Sequence, residues 1–273
     1  VRELLGRAAQ MPGEDPRRDA EVLLCHCLDK PRSWLYTWPD AEVADDVHQQ
    51  FAVLLERRAQ GEPVAHLTGS RGFWSLELAV ESSTLIPRPE TETLVEWALE
   101  LPLPDSAAVL DLGTGTGAIA LALASERPAW QVTGVDAEPA AIELARRNAR
   151  RCGLAQVVFE LSDWFAALGD ARYHLVVGNP PYIAPDDPHL QRGDLRFEPH
   201  SALVAAADGL ADLKHIVATA RGHLQPGGWL LLEHGYEQGA AVRELFSEAG
   251  YAEVQTRHDL GGRERITGGQ YAQ

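Results

Sequence analysis

A doubly wound α/β sheet preceded by a small helical domain is the fold class that three observations predict. From residue 107 onward, short apolar runs alternate with amphipathic stretches at helical spacing, the pattern of parallel strands with helices between them. The first seventy or so residues show apolar positions at helical spacing and no such alternation. Glycines crowd directly behind the first apolar run, at Gly113, Gly115 and Gly117, where a strand has to turn tightly into a helix.

The chain of 273 residues suffices for one large domain and a smaller one. Hydrophobic content of 45% with 23% charged residues is ordinary for a soluble globular protein. No apolar stretch approaches a membrane span, and the N-terminus lacks a signal-peptide pattern, so no membrane partner is expected. An odd set of cysteines, Cys25, Cys27 and Cys152, suggests a reducing cytoplasm rather than a disulfide scaffold. Cys25-His26-Cys27 has no further ligands at zinc spacing nearby, so helical core cysteines are expected and no metal. A formal net charge of −16 argues against a broad nucleic-acid face; Arg146, Arg147, Arg150 and Arg151 read as a solvated helix face.

Taken in order, residues 1–70 form the helical domain. Asp15 caps a helix starting at Pro16, with Ala20, Val22, Leu23, Leu24 and Leu28 at helical spacing and Pro31 closing it. Residues 47–59 place Val47, Phe51, Leu54 and Leu55 on one face and end at Gly61. This domain shows no catalytic chemistry, leaving structural support or recognition of a macromolecular partner. Residues 71–86, with Phe73, Leu76, Leu78 and Val80 partly alternating, read as a connecting hairpin, and residues 87–273 as the second domain. Ile86-Pro87-Arg88-Pro89-Glu90-Thr91-Glu92 is either a rigid linker or a loop over a site, and a helix covers 91–101. Arg88 and Glu90 either close over a substrate or form a linker salt bridge. Strands are expected at 107–111, 131–136, 157–160, 175–177 and 229–233, with two more near 252–257 and 263–267. Helices fall at 118–127, 139–152, 210–223 and 238–249. Such a sheet binds its ligand at the carboxyl ends of the strands.

Asp111-Leu112-Gly113-Thr114-Gly115-Thr116-Gly117-Ala118 follows the first strand and satisfies the dinucleotide pattern G-x-G-x-x-A, so alone it separates NAD from S-adenosylmethionine (SAM) poorly. Asp136 ends the second strand, where a carboxylate accepts from both hydroxyls of a ribose. Two features favour SAM. Asp111 is expected near the ligand's cationic end, where a pyrophosphate would be repelled. Ser162-Asp163-Trp164 follows the third strand, where Asp163 accepts from an adenine amino group and Trp164 stacks on the ring.

Asn179-Pro180-Pro181-Tyr182 follows the fourth strand, beside the expected methyl donor. Asn179 offers a side-chain carbonyl as acceptor, and the residue before a proline is pushed to an extended conformation that presents it. Pro180 and Pro181 have no N–H to compete for their carbonyls, and Tyr182 supplies a flat face. The loop suits a planar amino group held by its hydrogens. The residues point to methyl transfer onto such a group.

The whole chain resembles the bacterial protein-(glutamine-N5) methyltransferases of peptide chain release factors, the HemK/PrmC family. The likeness runs through Gly61-Glu62-Pro63-Val64-Ala65-His66-Leu67-Thr68-Gly69, the 86–92 loop and Val109 to Gly117. It continues in Gly178-Asn179-Pro180-Pro181-Tyr182-Ile183, Phe197-Glu198-Pro199 and Leu231-Leu232-Glu233-His234-Gly235. It implies a Rossmann-like class I SAM-dependent methyltransferase domain with a seven-stranded sheet, behind a helical substrate-recognition domain. It implies that the acceptor is the glutamine of a Gly-Gly-Gln motif in class-1 release factors, modulating translation termination. It further implies that Gly113, Thr114, Gly115, Thr116, Gly117, Asp136, Trp164 and Asn179 contact SAM, and that Asn179, Pro180, Pro181 and Tyr182 hold the glutamine. The alternatives are an amino methyltransferase acting on adenine in DNA or RNA, which needs base flipping and a basic track, a SAM-binding scaffold without turnover, and an NAD-dependent dehydrogenase. Gly268-Gly269-Gln270 reproduces the implied target tripeptide within the chain itself and is expected to be a fraying tail after the last strand.

Overall fold

The computed structural model describes residues 1–8, 15–191 and 193–272. They divide into two compact units, Val1–Ser70 with Pro188–Phe197, and Arg71–Asp187 with Glu198–Gln273.

The first unit holds α1 (Arg2–Ala8), α2 (Pro16–Leu28), α3 (Arg32–Thr37), α4 (Asp45–Ala59) and α5 (Val64–Thr68). Pro16 at the first position of α2 needs no N–H partner, and the Asp15 carboxylate accepts from the Arg18 N–H at 3.1 Å. The helix stops at Asp29, whose left-handed φ of 50° cannot continue it. Leu23, Leu24, Leu35, Phe51, Leu54 and Leu67 make the unit's apolar core. A stretch from far along the chain joins these helices: Arg58 donates to Asp19 at 2.7 Å and to Asp194 at 3.0 Å.

In the second unit β1 (Ser70–Phe73) and β2 (Leu76–Ala79) form a hairpin, turning at Trp74 with φ 57°. A 3-10 turn at Pro89–Thr91 leads into α6 (Glu92–Glu100). Strands and helices then alternate: β3 (Ala108–Leu112), α7 (Ala118–Glu126), β4 (Gln131–Asp136), α8 (Pro139–Arg151), β5 (Val158–Leu161) and β6 (Tyr173–Gly178). After a single turn, α9 (Ala206–Gly209), come α10 (Ala211–Ala220), β7 (Leu224–Glu233), α11 (Gly239–Glu248), β8 (Tyr251–His258) and β9 (Glu264–Tyr271).

The seven strands from β3 onward lie in the order β5-β4-β3-β6-β7-β9-β8. Strands β3 to β7 run parallel, and β9 inserts antiparallel between β7 and β8. The alternating faces of the strands bury two apolar layers. Val109, Leu175, Val177 and Leu231 pack with α6 and α7, whereas Leu110, Val176, Leu230 and Leu232 pack with α10 and α11. The direction of winding reverses between β3 and β6, which opens a crevice at their carboxyl ends.

The tail expected at 268–270 is instead the interior of β9. Leu231 faces Gly268, Leu230 faces Gly269 and Trp229 faces Gln270 in the ladder. A Cβ at Gly268 would stand 2.8 Å from the Trp97 ring, and one at Gly269 would stand 2.9 Å from both Phe246 and Tyr251. The glycines are there because helices and aromatic rings press on both sides of this strand. The Gln270 side chain donates to the Gly227 carbonyl at 2.9 Å.

Cys25, Cys27 and Cys152 are free thiols packed against the apolar clusters, and no group of metal-ligating side chains occurs among the described residues. Arg146 pairs with Glu143 at 2.8 Å on the solvated side of α8. No helix among the described residues is long and apolar enough to cross a membrane.

Candidate active site

The crevice is built around the loop from β3 to α7. Gly113, Gly115 and Gly117 have φ of 66°, 53° and 84°, left-handed values that a residue with a Cβ rarely adopts. The Thr114 N–H donates to the Val135 carbonyl at 2.9 Å, and the Gly117 N–H donates to the Thr114 carbonyl at 2.8 Å, closing the turn. Gly113, Thr114, Gly115 and Thr116 line the cleft. Gly117 does not: it is wedged among Leu121, Phe159 and Ala145, which a Cβ would meet at 3.2–3.3 Å. A further glycine is required at 134 in β4, where a Cβ would lie 2.6 Å from the Thr114 hydroxyl oxygen. The one hint in the sequence is a glycine inside a strand, the mark of close backbone approach.

Asp136 stands at the end of β4 and lines the cleft. Its Oδ2 accepts from the Gly115 N–H at 2.9 Å and its Oδ1 from the Glu138 N–H at 3.0 Å. Burial pushes its pKa up, against the pull of these donors. A carboxylate has about four acceptor sites, so both oxygens retain capacity for ligand hydroxyls.

Asp111 departs from the sequence reading. It is fully buried and absent from the cleft wall. Its Oδ2 accepts from the Thr114 hydroxyl at 2.6 Å and the Ala120 N–H at 3.2 Å, so it braces the glycine loop against the start of α7. Burial pushes its pKa up to about 7. The carboxyl therefore acts through Thr114 rather than on the ligand's cationic end.

Asp163 and Trp164 also line the cleft. The Ser162 hydroxyl donates to the Trp164 carbonyl at 2.9 Å and accepts from the Ala167 N–H at 3.0 Å, fixing a turn in which Trp164 takes φ 47°. Its ring stands beside Gly113, where a Cβ would be 3.5 Å away.

On the other side of the switch point β6 ends at Gly178, and the NPPY loop follows. Asn179 and Pro181 line the cleft; Pro180 is buried, and Tyr182 packs against the apolar cluster that includes residues of α10 and α11. The Asn179 Nδ2 donates to the Thr91 hydroxyl at 3.3 Å, whereas its Oδ1 is buried without a hydrogen-bond partner. The Tyr182 hydroxyl donates to Glu233 at 3.3 Å, and its carbonyl accepts from Gln238 at 3.1 Å. Burial, and then the charge of Glu233, push the Tyr182 phenol well up.

Two features have no clear signal in the sequence, and a third, Glu198, shows there only within the Phe197-Glu198-Pro199 stretch. Ser83 and Thr84 line the cleft, and their buried hydroxyls have no partner. Glu198 pairs with Arg88 and accepts from the Ile86 N–H at 2.9 Å, so its buried carboxylate clamps the Ile-Pro-Arg-Pro loop. Asp212 completes the rim near Asp163, its pKa raised by burial.

Unpartnered acceptors at Asn179 and Thr84, a left-handed glycine cradle, a strand-end carboxylate and an indole together suit a nucleoside carrying a polar amino-acid arm. Sheet order and cleft are those of the class I methyltransferases that depend on SAM, and the chain is an enzyme of this class.

Residues 4–69 match the model for the PrmC N-terminal domain, and residues 91–193 match the model for the methyltransferase small domain. The chain is 57% identical to the release factor glutamine methyltransferase of Pseudomonas aeruginosa, over 97% of this chain and 96% of that one. It is 52% identical to the enzyme of the same name from Escherichia coli K12, over 95% of this chain and 94% of that one. A methyltransferase structure from Pyrococcus furiosus shares the fold at 17% identity, with a TM-score of 0.56 over 80% of this chain and 98% of its own. The chain belongs to the release factor glutamine methyltransferase family.

Proposed function

We propose that this enzyme methylates the side-chain amide nitrogen (N5) of the glutamine in the Gly-Gly-Gln motif of class-1 peptide chain release factors. The observation that carries the reading is the Asn179 Oδ1, a buried carbonyl oxygen with no partner at the mouth of the acceptor loop. Family membership favours this acceptor over adenine in DNA or RNA.

An amide nitrogen is a poor nucleophile, because its lone pair is delocalised with a rotation barrier of ~18–20 kcal/mol. Bound SAM supplies a methyl group made electrophilic by its sulfonium. The chain's task is to aim the amide and to stabilise positive charge developing on its nitrogen. Asn179 Oδ1 and the Pro180 carbonyl accept the two amide hydrogens, and their dipoles point negative ends at that nitrogen. Tyr182, fixed through its hydroxyl by Glu233, supports the amide plane. Fixing the acceptor in line removes up to roughly 7–11 kcal/mol of barrier in favourable systems.

On the donor side, Gly113, Thr114, Gly115 and Thr116 receive SAM against the backbone, and Asp136 accepts from its ribose. Asp163 accepts from the adenine amino group, and Trp164 covers the ring. Gly117 contributes by letting α7 start where it does. Residues 1–70 serve to recognise the release factor, and the enzyme works in the cytoplasm.

The test is incubation with methyl-labelled SAM and a purified class-1 release factor beside its Gly-Gly-Ala variant. Label is expected on the unmodified factor alone, mapped to the glutamine amide. Equal labelling of both, or of neither while SAM binds, overturns the reading and makes nucleic acid the next acceptor to try.

A further inference from the structure

Pro180 and Pro181 carry no N–H, so the stretch between Asn179 and Tyr182 cannot be tied down by backbone donors of its own. Its fastening lies downstream. The Ile183 N–H donates to the Leu203 carbonyl at 2.9 Å, and the Ala205 N–H donates to the Ile183 carbonyl at 3.0 Å, around a parallel bridge between Ile183 and Val204. The Tyr182 carbonyl, the last of the loop, is met by a side chain from elsewhere, Gln238.

Gln238 stands at the N-cap of α11, yet its side chain makes no capping bond. It bonds instead to three backbone groups, whose roles as donor or acceptor are fixed. Its Oε1 accepts from the Gly235 N–H at 2.9 Å, and its Nε2 donates to the Tyr182 carbonyl at 3.1 Å and to the Asp208 carbonyl at 3.2 Å. Both hydrogens of the amide are thereby used. Turning the amide over would set its oxygen against two carbonyls and its NH2 group against an N–H, so one orientation alone satisfies the site.

The Asp208 carbonyl arrives there through an uncommon backbone. Ala207, Asp208 and Gly209 have φ of 53°, 55° and 80°, three left-handed residues in succession, of which only the glycine escapes a steric cost. At Gly209 a Cβ would run into the Tyr182 carbonyl and stand 2.8 Å from Gln238 Nε2. Strained backbone of this kind persists where its surroundings hold it in place, and it collects at functional sites. Here it lets two backbone segments approach closely enough for one amide to bridge them.

We infer that Gln238 is a positioning residue, which clamps the acceptor loop by tying the Tyr182 carbonyl to the left-handed turn at 207–209, with Gly209 making the room. The inference rests on the function proposed above in one respect, that this loop holds the acceptor amide.

The clamp is read in the full chain, without methyl donor or acceptor. Tyr182-Ile183 is the only Tyr-Ile pair in the sequence, so 13C in tyrosine carbonyls and 15N in isoleucine give a single cross-peak, from the clamped peptide. A carbonyl carbon that loses its donor is shielded, so the signal is expected to move upfield in Gln238→Ala. In Gln238→Glu it should also lie upfield at about pH 8, where a carboxylate only accepts, and return toward wild type near about pH 6; a carboxyl facing carbonyl oxygens protonates above the usual ~4.3. Asp208, Glu233, His234, Arg243, Glu264 and Arg265, the charged and titratable groups on the elements around it, are common to variant and wild type, so each reading is taken against wild type at the same pH. A signal unmoved in Gln238→Ala, or indifferent to pH in Gln238→Glu, overturns the inference. In turnover, Gln238→Ala should lower kcat about tenfold or more, since a misplacement of about 1 Å costs up to ~10²-fold, with KM for SAM unchanged. Gln238→Glu should recover part of that loss, relative to wild type, as the pH falls. Wild-type kcat in Gln238→Ala refutes the role. If the carbonyl signal behaves as described while the wild-type enzyme gives the release factor no methyl, the clamp stands and the proposed acceptor falls.

Discussion

Replacing Asn179 with alanine separates what this side chain does for the fold from what it does for the reaction. Among the described residues its side chain makes one bond, Nδ2 to the Thr91 hydroxyl at 3.3 Å, which is long for a hydrogen bond. Losing a bond of that kind costs about 1 kcal/mol or less. In a domain of this size that lowers the thermal midpoint by only about 2–4 °C. Oδ1 makes no bond at all, so its removal costs the fold nothing further. For methyl transfer the balance is opposite, because in the proposed mechanism Oδ1 accepts an amide hydrogen. Deleting one preorganised electrostatic partner typically lowers kcat by ~10²–10³, or about 2.7–4 kcal/mol. The assay is initial-rate methylation of a class-1 release factor at saturating SAM, run beside a thermal melt. At least a hundredfold loss of kcat with a midpoint within a few degrees of wild type is expected. A kcat within about tenfold of wild type would refute the role given to Oδ1, since that corresponds to no more than ~1.4 kcal/mol.

Asp111 predicts a pH dependence of stability. Its carboxyl lies near pH 7 when folded, above the 3.8 of a free aspartate, so folding favours the neutral acid. That contribution is complete below pH 3.8 and is lost as the pH rises through about 7. Chemical denaturation should therefore show Asp111→Asn gaining on wild type over this window, by on the order of 4 kcal/mol at ~1.36 kcal/mol per pH unit; parallel curves would show that Asp111 does not titrate there. Trp164→Ala should weaken SAM binding about tenfold to a hundredfold by calorimetry, the ~1–3 kcal/mol of one stacked base, and an unchanged Kd would move the adenine elsewhere. Gly268→Ala forces a methyl against Trp97, itself 1% exposed and unable to retreat. It should cost about 1–3 kcal/mol in a urea titration, and a more stable variant would contradict the packing described.

The sequence shows the sheet plainly where strands are buried on both faces, because β3, β6 and the end of β7 then read as continuous apolar runs. The glycine loop and NPPY are equally plain, since each is a short contiguous motif whose residue types serve one purpose. Contacts across the fold are invisible in that way. Asn179 meets Thr91 across 88 residues, and Tyr182 meets Glu233 across 51. Thr91 looks like a helix cap and Glu233 like the polar end of a strand. Asp111 reads in sequence as a ligand-facing carboxylate because a motif gives the residue but not the side on which its carboxyl lies. Gly117 reads like its neighbours Gly113 and Gly115, although it answers to Phe159 and Ala145 rather than to a ligand. The pair Gly268-Gly269 reads as loose chain, because the reasons for it, Trp97 and Phe246, lie on other elements.

The fate of Gly268-Gly269-Gln270 bears on how such an enzyme chooses its target. The molecule carries in its own sheet the three letters of the motif proposed as its substrate, yet both glycines are pinned by rings and Gln270 is engaged with Gly227. Spelling is therefore insufficient for modification: a folded copy is a word in a closed book. Discrimination falls to whether the glutamine amide is free to enter the cleft, which Gln270, held in β9 and bonded to the Gly227 carbonyl, is not.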